Sequence, residues 1–235
     1  MVSLSHPQLP LGLVLKDSAR FENYYAGQNR EAVRSVQSSA EGVGESLVYL
    51  AGQAGLGKTH LLQAACHQAA RSQRATAYLP LRELLQLSPA LFEGLEQMDL
   101  VCLDDVGIVA GRPDWENGLF NLFNRMRDNA GTLLVAAGKR PDQAGFGLAD
   151  LASRLGWGVT YVLKPLDDEA VLIALTRRAK GRGLELPEDT ARFLLRRFPR
   201  NLSSLFALFD TLDTASFIEQ RRLTIPFVKA VLDSV

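Results

Sequence analysis

Gly52-Gln53-Ala54-Gly55-Leu56-Gly57-Lys58-Thr59 fits the phosphate-loop spacing G-x-x-x-x-G-K-[ST] at each fixed position. Such a loop closes successive backbone N–H groups around phosphate oxygens and must end at a helix N-terminus, where the peptide dipoles favour negative charge. Lys58 then reaches the terminal phosphates, and Thr59 offers its hydroxyl to a Mg²⁺ that also bridges phosphate oxygens. A second feature with chemistry in it is Leu100-Val101-Cys102-Leu103-Asp104-Asp105, in which four apolar residues run into two aspartates. Asp104 is placed to hold the Mg²⁺ directly or through water. Asp105 could orient an attacking water, although its reach is one methylene shorter than that of glutamate. An apolar strand ending in Asp-Asp says little alone; downstream of a phosphate loop it points to a nucleoside triphosphate or diphosphate site.

These side chains need a strand before the loop and a helix after it. Ser46 to Ala51 is a short apolar β-type run, and Lys58 to Ser72 carries Leu61, Leu62, Ala65, Cys66 and Ala69 at helical spacing. The pattern continues with a helix from about Gln28 to Ser39, a strand over 75–79 and a helical stretch over 81–95 punctuated by Ser88-Pro89. Beyond these come a strand at 100–105, an amphipathic helix over 114–129, and strands at 132–137 and 159–163. Strands alternating with helices predict a three-layer α/β unit with a parallel sheet, whose ligands sit at the carboxyl edge of the strands. After Lys164-Pro165 only helices follow, over 167–180, 187–198, 201–220 and 225–233, with Asp167 and Pro187 as start signals. The expected organisation is an extended arm over 1–20, an α/β nucleotide-binding domain over 21–164 and a small all-helical lid over 165–235.

The chain has 235 residues, of which 26 are basic and 26 acidic, so its formal charge is zero and gives no electrostatic reason to expect nucleic acid as the main partner. No apolar run approaches a membrane span and no signal peptide opens the chain, so the cytoplasm is the expected compartment. Cys66 and Cys102 lack metal-ligand spacing and read as reduced core residues.

Two upstream stretches admit more than one reading from their residues alone. Gln8-Leu9-Pro10-Leu11-Gly12-Leu13 is either an apolar arm that folds onto the domain or a linear docking motif stiffened by a proline. Phe21-Glu22-Asn23-Tyr24-Tyr25-Ala26-Gly27 either lines a base pocket or belongs to the core.

The sequence resembles the AAA+ domain of the DnaA family, and within that family the Hda-type regulators that shut replication initiation down. The likeness rests on residues 21–27, on the loop with His60 to Cys66, on Val101 to Asp105, on Asp150-Leu151-Ala152-Ser153-Arg154-Leu155, and on Arg221 to Lys229. It implies an AAA+ core with a helical lid, ADP or ATP with Mg²⁺ as ligand, and nucleotide contacts from residues 52–60, Asn23, Tyr24 and Arg200. It further implies that Arg154 is an arginine finger acting in trans on a nucleotide in a neighbouring subunit. Gln8, Leu9, Leu11 and Leu13 fall where Hda-type proteins bind the β subunit sliding clamp of DNA polymerase. DnaA, the clamp and a second copy of the chain are thus the expected partners. The stop at Val235, shortly after the lid, leaves no room for the helix-turn-helix domain of DnaA, so sequence-specific DNA binding is not expected. Two departures weaken hydrolysis in cis: Gly138, followed by Lys139, replaces a polar sensor, and Ser203 replaces the lid arginine, for which Arg200 is the nearest substitute. The expectation is therefore a nucleotide-binding regulator with weak or no ATPase activity of its own that activates ATP hydrolysis by DnaA. An autonomous ATPase of the helicase-loader type and an adaptor stabilised by its nucleotide are the alternatives.

Overall fold

Runs of apolar residues without polar alternation can be strands only if both sheet faces are covered. In the computed structural model, which describes residues 15–198 and 202–233, that is the case. β1 (Leu47–Ala51), β3 (Leu100–Asp104) and β4 (Thr132–Ala137) are buried at every residue. They form the middle of a five-stranded parallel sheet of order β2-β3-β4-β1-β5, with β2 (Thr76–Pro80) and β5 (Val159–Val162) at the edges. The register pairs Leu50 with Ala136 and Cys102 with Leu134, so the carboxyl ends of β1, β3 and β4 share one edge.

The period of two along each strand divides the core into two layers. Val48 and Leu50 of β1 face α1 (Arg30–Ala40) and α2 (Lys58–Arg71), where Val36, Leu61, Leu62 and Cys66 complete one cluster. Tyr49 and Ala51 face the other side and meet Leu119, Leu122 and Phe123 of α4 (Pro113–Asp128). Cys66 and Cys102 are free and buried in the first cluster, and burial pushes the Cys102 thiol well above its ordinary range.

The last four helices, α6 (Asp168–Gly181), α7 (Glu188–Arg197), α8 (Leu202–Glu219) and α9 (Ile225–Asp233), enclose a core of their own that includes Leu175, Leu194, Phe209 and Phe227. Asp167 caps α6, its carboxylate accepting the Ala170 N–H at 2.8 Å. Among the described residues no helix is long and apolar enough to cross a membrane.

Two elements differ from the sequence expectation. The stretch over 81–95 is not one helix: α3 is only Leu81–Leu84, followed by 3₁₀ turns at Pro89–Phe92 and Leu95–Gln97. Ser88 caps a fresh start with Pro89 at its first position, and Gly94 takes a left-handed conformation that no helix continues through. Conversely, Asp150–Leu155, read only as a motif, lies in α5 (Ala149–Leu155).

Candidate functional site

β1 delivers the chain into the loop at the carboxyl edge, where Gly52, Gly55 and Gly57 all have positive φ. Gly57, at φ 83°, is the left-handed residue just before α2, and a Cβ there would lie 2.5 Å from Tyr24 Cε2. Only glycine fits that position on both counts. The Lys58 ammonium turns back into the loop, donating to the carbonyls of Gly52 at 2.7 Å and Gln53 at 2.8 Å. Burial lowers its pKa, while the charges of Asp105 and Asp104 oppose the shift. Gln53, Ala54, Leu56, Thr59 and His60 complete the loop and the first turn of α2.

Asp104 ends β3 beside this loop. Its carboxylate accepts the Tyr78 hydroxyl at 2.9 Å and the Asp105 N–H at 3.0 Å. Desolvation raises its pKa, partly offset by hydrogen bonds from the Thr59 and Tyr78 hydroxyls. Phosphate-loop hydroxyl and strand-end carboxylate are therefore neighbours, which is the donor pair a nucleotide-bound divalent ion requires. Among the described residues no three His, Cys, Asp or Glu side chains cluster as a metal site, so an ion here would depend on phosphate oxygens for the rest of its shell. The glycine-built cradle, the Lys58 cation and this pair fit a nucleotide with Mg²⁺.

Asp105 is placed differently. Its backbone is left-handed (φ 58°), and its carboxylate forms an ion pair at 3.0 Å with Arg82 of α3. At the end of β4, Gly138 is exposed with nothing within 4 Å of where a Cβ would be.

The segment before α1 folds against the loop. Tyr24 donates to the Leu56 carbonyl at 3.1 Å and its ring lies 5.5 Å from that of His60. Burial pushes the phenol up to about 12 and lowers the His60 pKa, and the His60 Nε2–H donates to the Arg20 carbonyl at 2.8 Å. Asn23 donates to the Ser18 carbonyl at 2.9 Å. A cavity of about 330 Å³, lined by Tyr25, Gln28 and Arg30 on one side and by Leu166, Glu169 and Ile173 on the other, opens between this segment and the lid.

Arg154 stands near the end of α5 in different surroundings. Its guanidinium carbon lies 4.5 Å from the centroid of the Trp157 ring and 5.3 Å from that of Phe120. Glu116 of α4, which sequence reasoning did not single out, fixes the start of that helix. It accepts N–H bonds from Gly111 (2.6 Å), Gly147 (3.0 Å) and Leu148 (2.6 Å), and Leu148 is the residue before α5. Desolvation raises its pKa, but the three N–H groups together outweigh that and leave it lowered. A glutamate in an amphipathic helix carries no sign of such a task; the one available signal is its place on the apolar side of α4, next to Trp115. Arg200, Gln8, Leu9, Leu11 and Leu13 lie outside the described residues.

Comparison with known proteins agrees with this geometry. Residues 15–162 match the bacterial DnaA ATPase domain and residues 167–232 match the Hda lid domain. Among solved structures, domain III of the Thermotoga maritima replication initiation protein DnaA superposes with a TM-score of 0.82 at 21% identity, covering 94% of this chain and 98% of that one. AMPPCP-bound DnaA from Aquifex aeolicus gives 0.74 at 24% identity over 83% of this chain and 65% of the other. The Thermotoga maritima RuvB Holliday junction branch migration motor gives 0.66 at 16% identity over 92% of this chain and 73% of that one. These likenesses show the fold, and the family matches show the rest: the chain belongs to the bacterial DnaA family of AAA+ proteins and carries a lid of the Hda type.

Proposed function

We propose that this chain is a DnaA-related negative regulator of replication initiation. It holds a nucleotide, ADP in its working state, in the loop at 52–59, docks on the sliding clamp through Gln8, Leu9, Leu11 and Leu13, and presents Arg154 in trans to ATP bound by DnaA. In hydrolysis a water attacks the γ-phosphorus, the bond to the β–γ bridging oxygen breaks, and negative charge spreads onto the phosphoryl oxygens and the departing diphosphate. A guanidinium donating to that charge is worth roughly 10³ to 10⁵ in rate in well-studied cases.

The observation that carries the proposal is the surroundings of Arg154. Among the described residues no carboxylate pairs with it, so none of them neutralises its charge. The same chain is poorly equipped to hydrolyse in cis, because Asp105 is engaged by Arg82 and Gly138 offers no side chain. Two weak contacts, arm to clamp and finger to DnaA, gain from effective concentration when both partners are on the same DNA.

The test measures ATP hydrolysis by the protein alone, with DnaA, and with DnaA and DNA-loaded clamp. Stimulation only in the last mixture, lost in Arg154→Ala with clamp binding intact and lost on deletion of residues 1–13 through failure to bind clamp, is the expected result. Turnover by the protein alone that disappears in Asp105→Asn would establish an autonomous ATPase instead. Clamp and DnaA binding with no effect of Arg154→Ala would leave an adaptor.

A further inference from the structure

Three arginines among the described residues have their guanidinium groups over aromatic rings, and two of them also hold a carboxylate. Arg178 lies 4.5 Å from the Phe206 ring and chelates Asp210 at 2.9 and 3.0 Å. Arg221 lies 5.1 Å from the Phe227 ring and pairs with Glu219 at 3.3 Å. Arg154 has two rings and, among the described residues, no carboxylate. At Arg154 a second ring stands where these other two arginines hold a carboxylate.

We propose that Trp157, assisted by Phe120, is the positioning residue for Arg154: its indole face restrains the guanidinium in a poised, unneutralised state from which it is handed to the phosphates of a neighbouring subunit's nucleotide. This rests on the trans-finger reading given above.

The local structure favours this role over a merely packed tryptophan. The backbone N–H of Trp157 donates to the Arg154 carbonyl at 3.1 Å, closing the end of α5 so that the two side chains emerge in fixed relation. Phe123 of α4 meets the indole at 6.1 Å and 80°, an edge contact that sets the plane of the ring. Yet Trp157 is 60% exposed, whereas Trp115, the other tryptophan, is 6% exposed in the core. Much of the indole surface is thus not used for burial, and the face that is used lies against the cation.

The choice of partner matters for a transferable charge. A carboxylate would hold the guanidinium by charge-assisted bonds and would itself repel an incoming triphosphate. A ring quadrupole attracts the cation more weakly, carries no net charge and restricts an otherwise freely rotating side chain. The arginine can therefore exchange the ring for phosphate oxygens without an anion having to leave.

The experiment compares Trp157→Phe, which keeps a π face, with Trp157→Leu, which keeps apolar bulk without one, alongside Arg154→Ala, all checked for unchanged thermal unfolding. DnaA-bound ATP hydrolysis is followed over a range of protein concentrations with DNA-loaded clamp present. Trp157→Leu is expected to lower the maximal stimulated rate about three- to tenfold with half-saturation within about twofold, and Trp157→Phe to restore most of it. A Trp157→Leu protein as active as the parent, or one altered only in half-saturation, would overturn the positioning role while leaving the finger in place. Full stimulation by Arg154→Ala would instead remove the finger and this inference with it. The resting stack has its own readout: in a Trp115→Phe background, Arg154→Ala is expected to change the emission of Trp157 in the protein alone, and identical spectra would overturn the stack.

Discussion

Asn29 brackets the backbone of Lys164: its side-chain amide donates to the Lys164 carbonyl at 2.9 Å and its side-chain oxygen accepts the Lys164 N–H at 2.8 Å. A buried side chain at the start of α1 thereby fixes the segment that leads from β5 to the lid. Asn29→Ala leaves both backbone groups unpaired, and a loss of about 1–2 kcal/mol is expected in urea unfolding. Hydrogen exchange should quicken at Lys164 and in the segment up to α6.

Asp104 is predicted to be a costly residue for the folded chain. Its pKa is raised in the fold, chiefly by desolvation, so the native state binds a proton that the unfolded chain has already released. Stability therefore falls as pH rises from the ordinary aspartate range through the raised value. Asp104→Asn should melt higher than the parent at neutral pH, with the gap closing as pH approaches about 4, the unfolded-state value. The same substitution should weaken Mg²⁺-dependent nucleotide binding, which calorimetry with and without the ion would measure.

Glu116 has the opposite sign. Its pKa is lowered in the fold, so its contribution is present above the ordinary glutamate range and is lost as pH falls through the depressed value. Glu116→Gln must set an N–H₂ group against a backbone N–H of Gly111, Gly147 or Leu148, and a loss of about 2–3 kcal/mol is expected at neutral pH. The difference from the parent should shrink in acid. Since Leu148 leads into α5, stimulation of DnaA should fall as well, although Glu116 is on another helix from Arg154.

Gly57→Ala combines a positive φ of 83° with a Cβ 2.5 Å from the Tyr24 ring. The left-handed backbone alone costs about 1–2 kcal/mol for an L-residue, so nucleotide affinity should drop about tenfold or more, read with a fluorescent ADP analogue. Adding Tyr24→Ala removes the clash but not the backbone strain, so it should restore only part of the binding.

The parts of this molecule legible in its sequence are those encoded over short distances. The loop, the strand ending in Asp104 and the cap at Asp167 each depend on a few adjacent residues, and each is found where the pattern puts it. The stretch over 81–95 misled because its leucines have helical spacing, while Ser88, Pro89 and Gly94 break the backbone that spacing would need. Helix α5 was hidden for a different reason: its start is held by Glu116, 32 positions before Leu148, a partner that no local pattern announces. The pairing of Asp105 with Arg82 is of the same kind, since whether a carboxylate faces a water or a guanidinium is decided by how α3 lies beside β3. The finger role of Arg154 is implied by resemblance alone; its place near the end of α5 and its two aromatic neighbours came only from the fold.

The strand order has a consequence for the ribosome. β1 hydrogen-bonds to β4 and β5 and to neither of the two strands synthesised soon after it. A nascent chain that has emerged only as far as Asn129 holds the whole glycine loop but none of the strands that flank its supporting strand, and should be unable to retain a nucleotide. Ligand capture is expected only once Val162 has emerged, and a stalled or truncated polypeptide is expected to expose the unpaired β1 edge to chaperones before it offers a phosphate site.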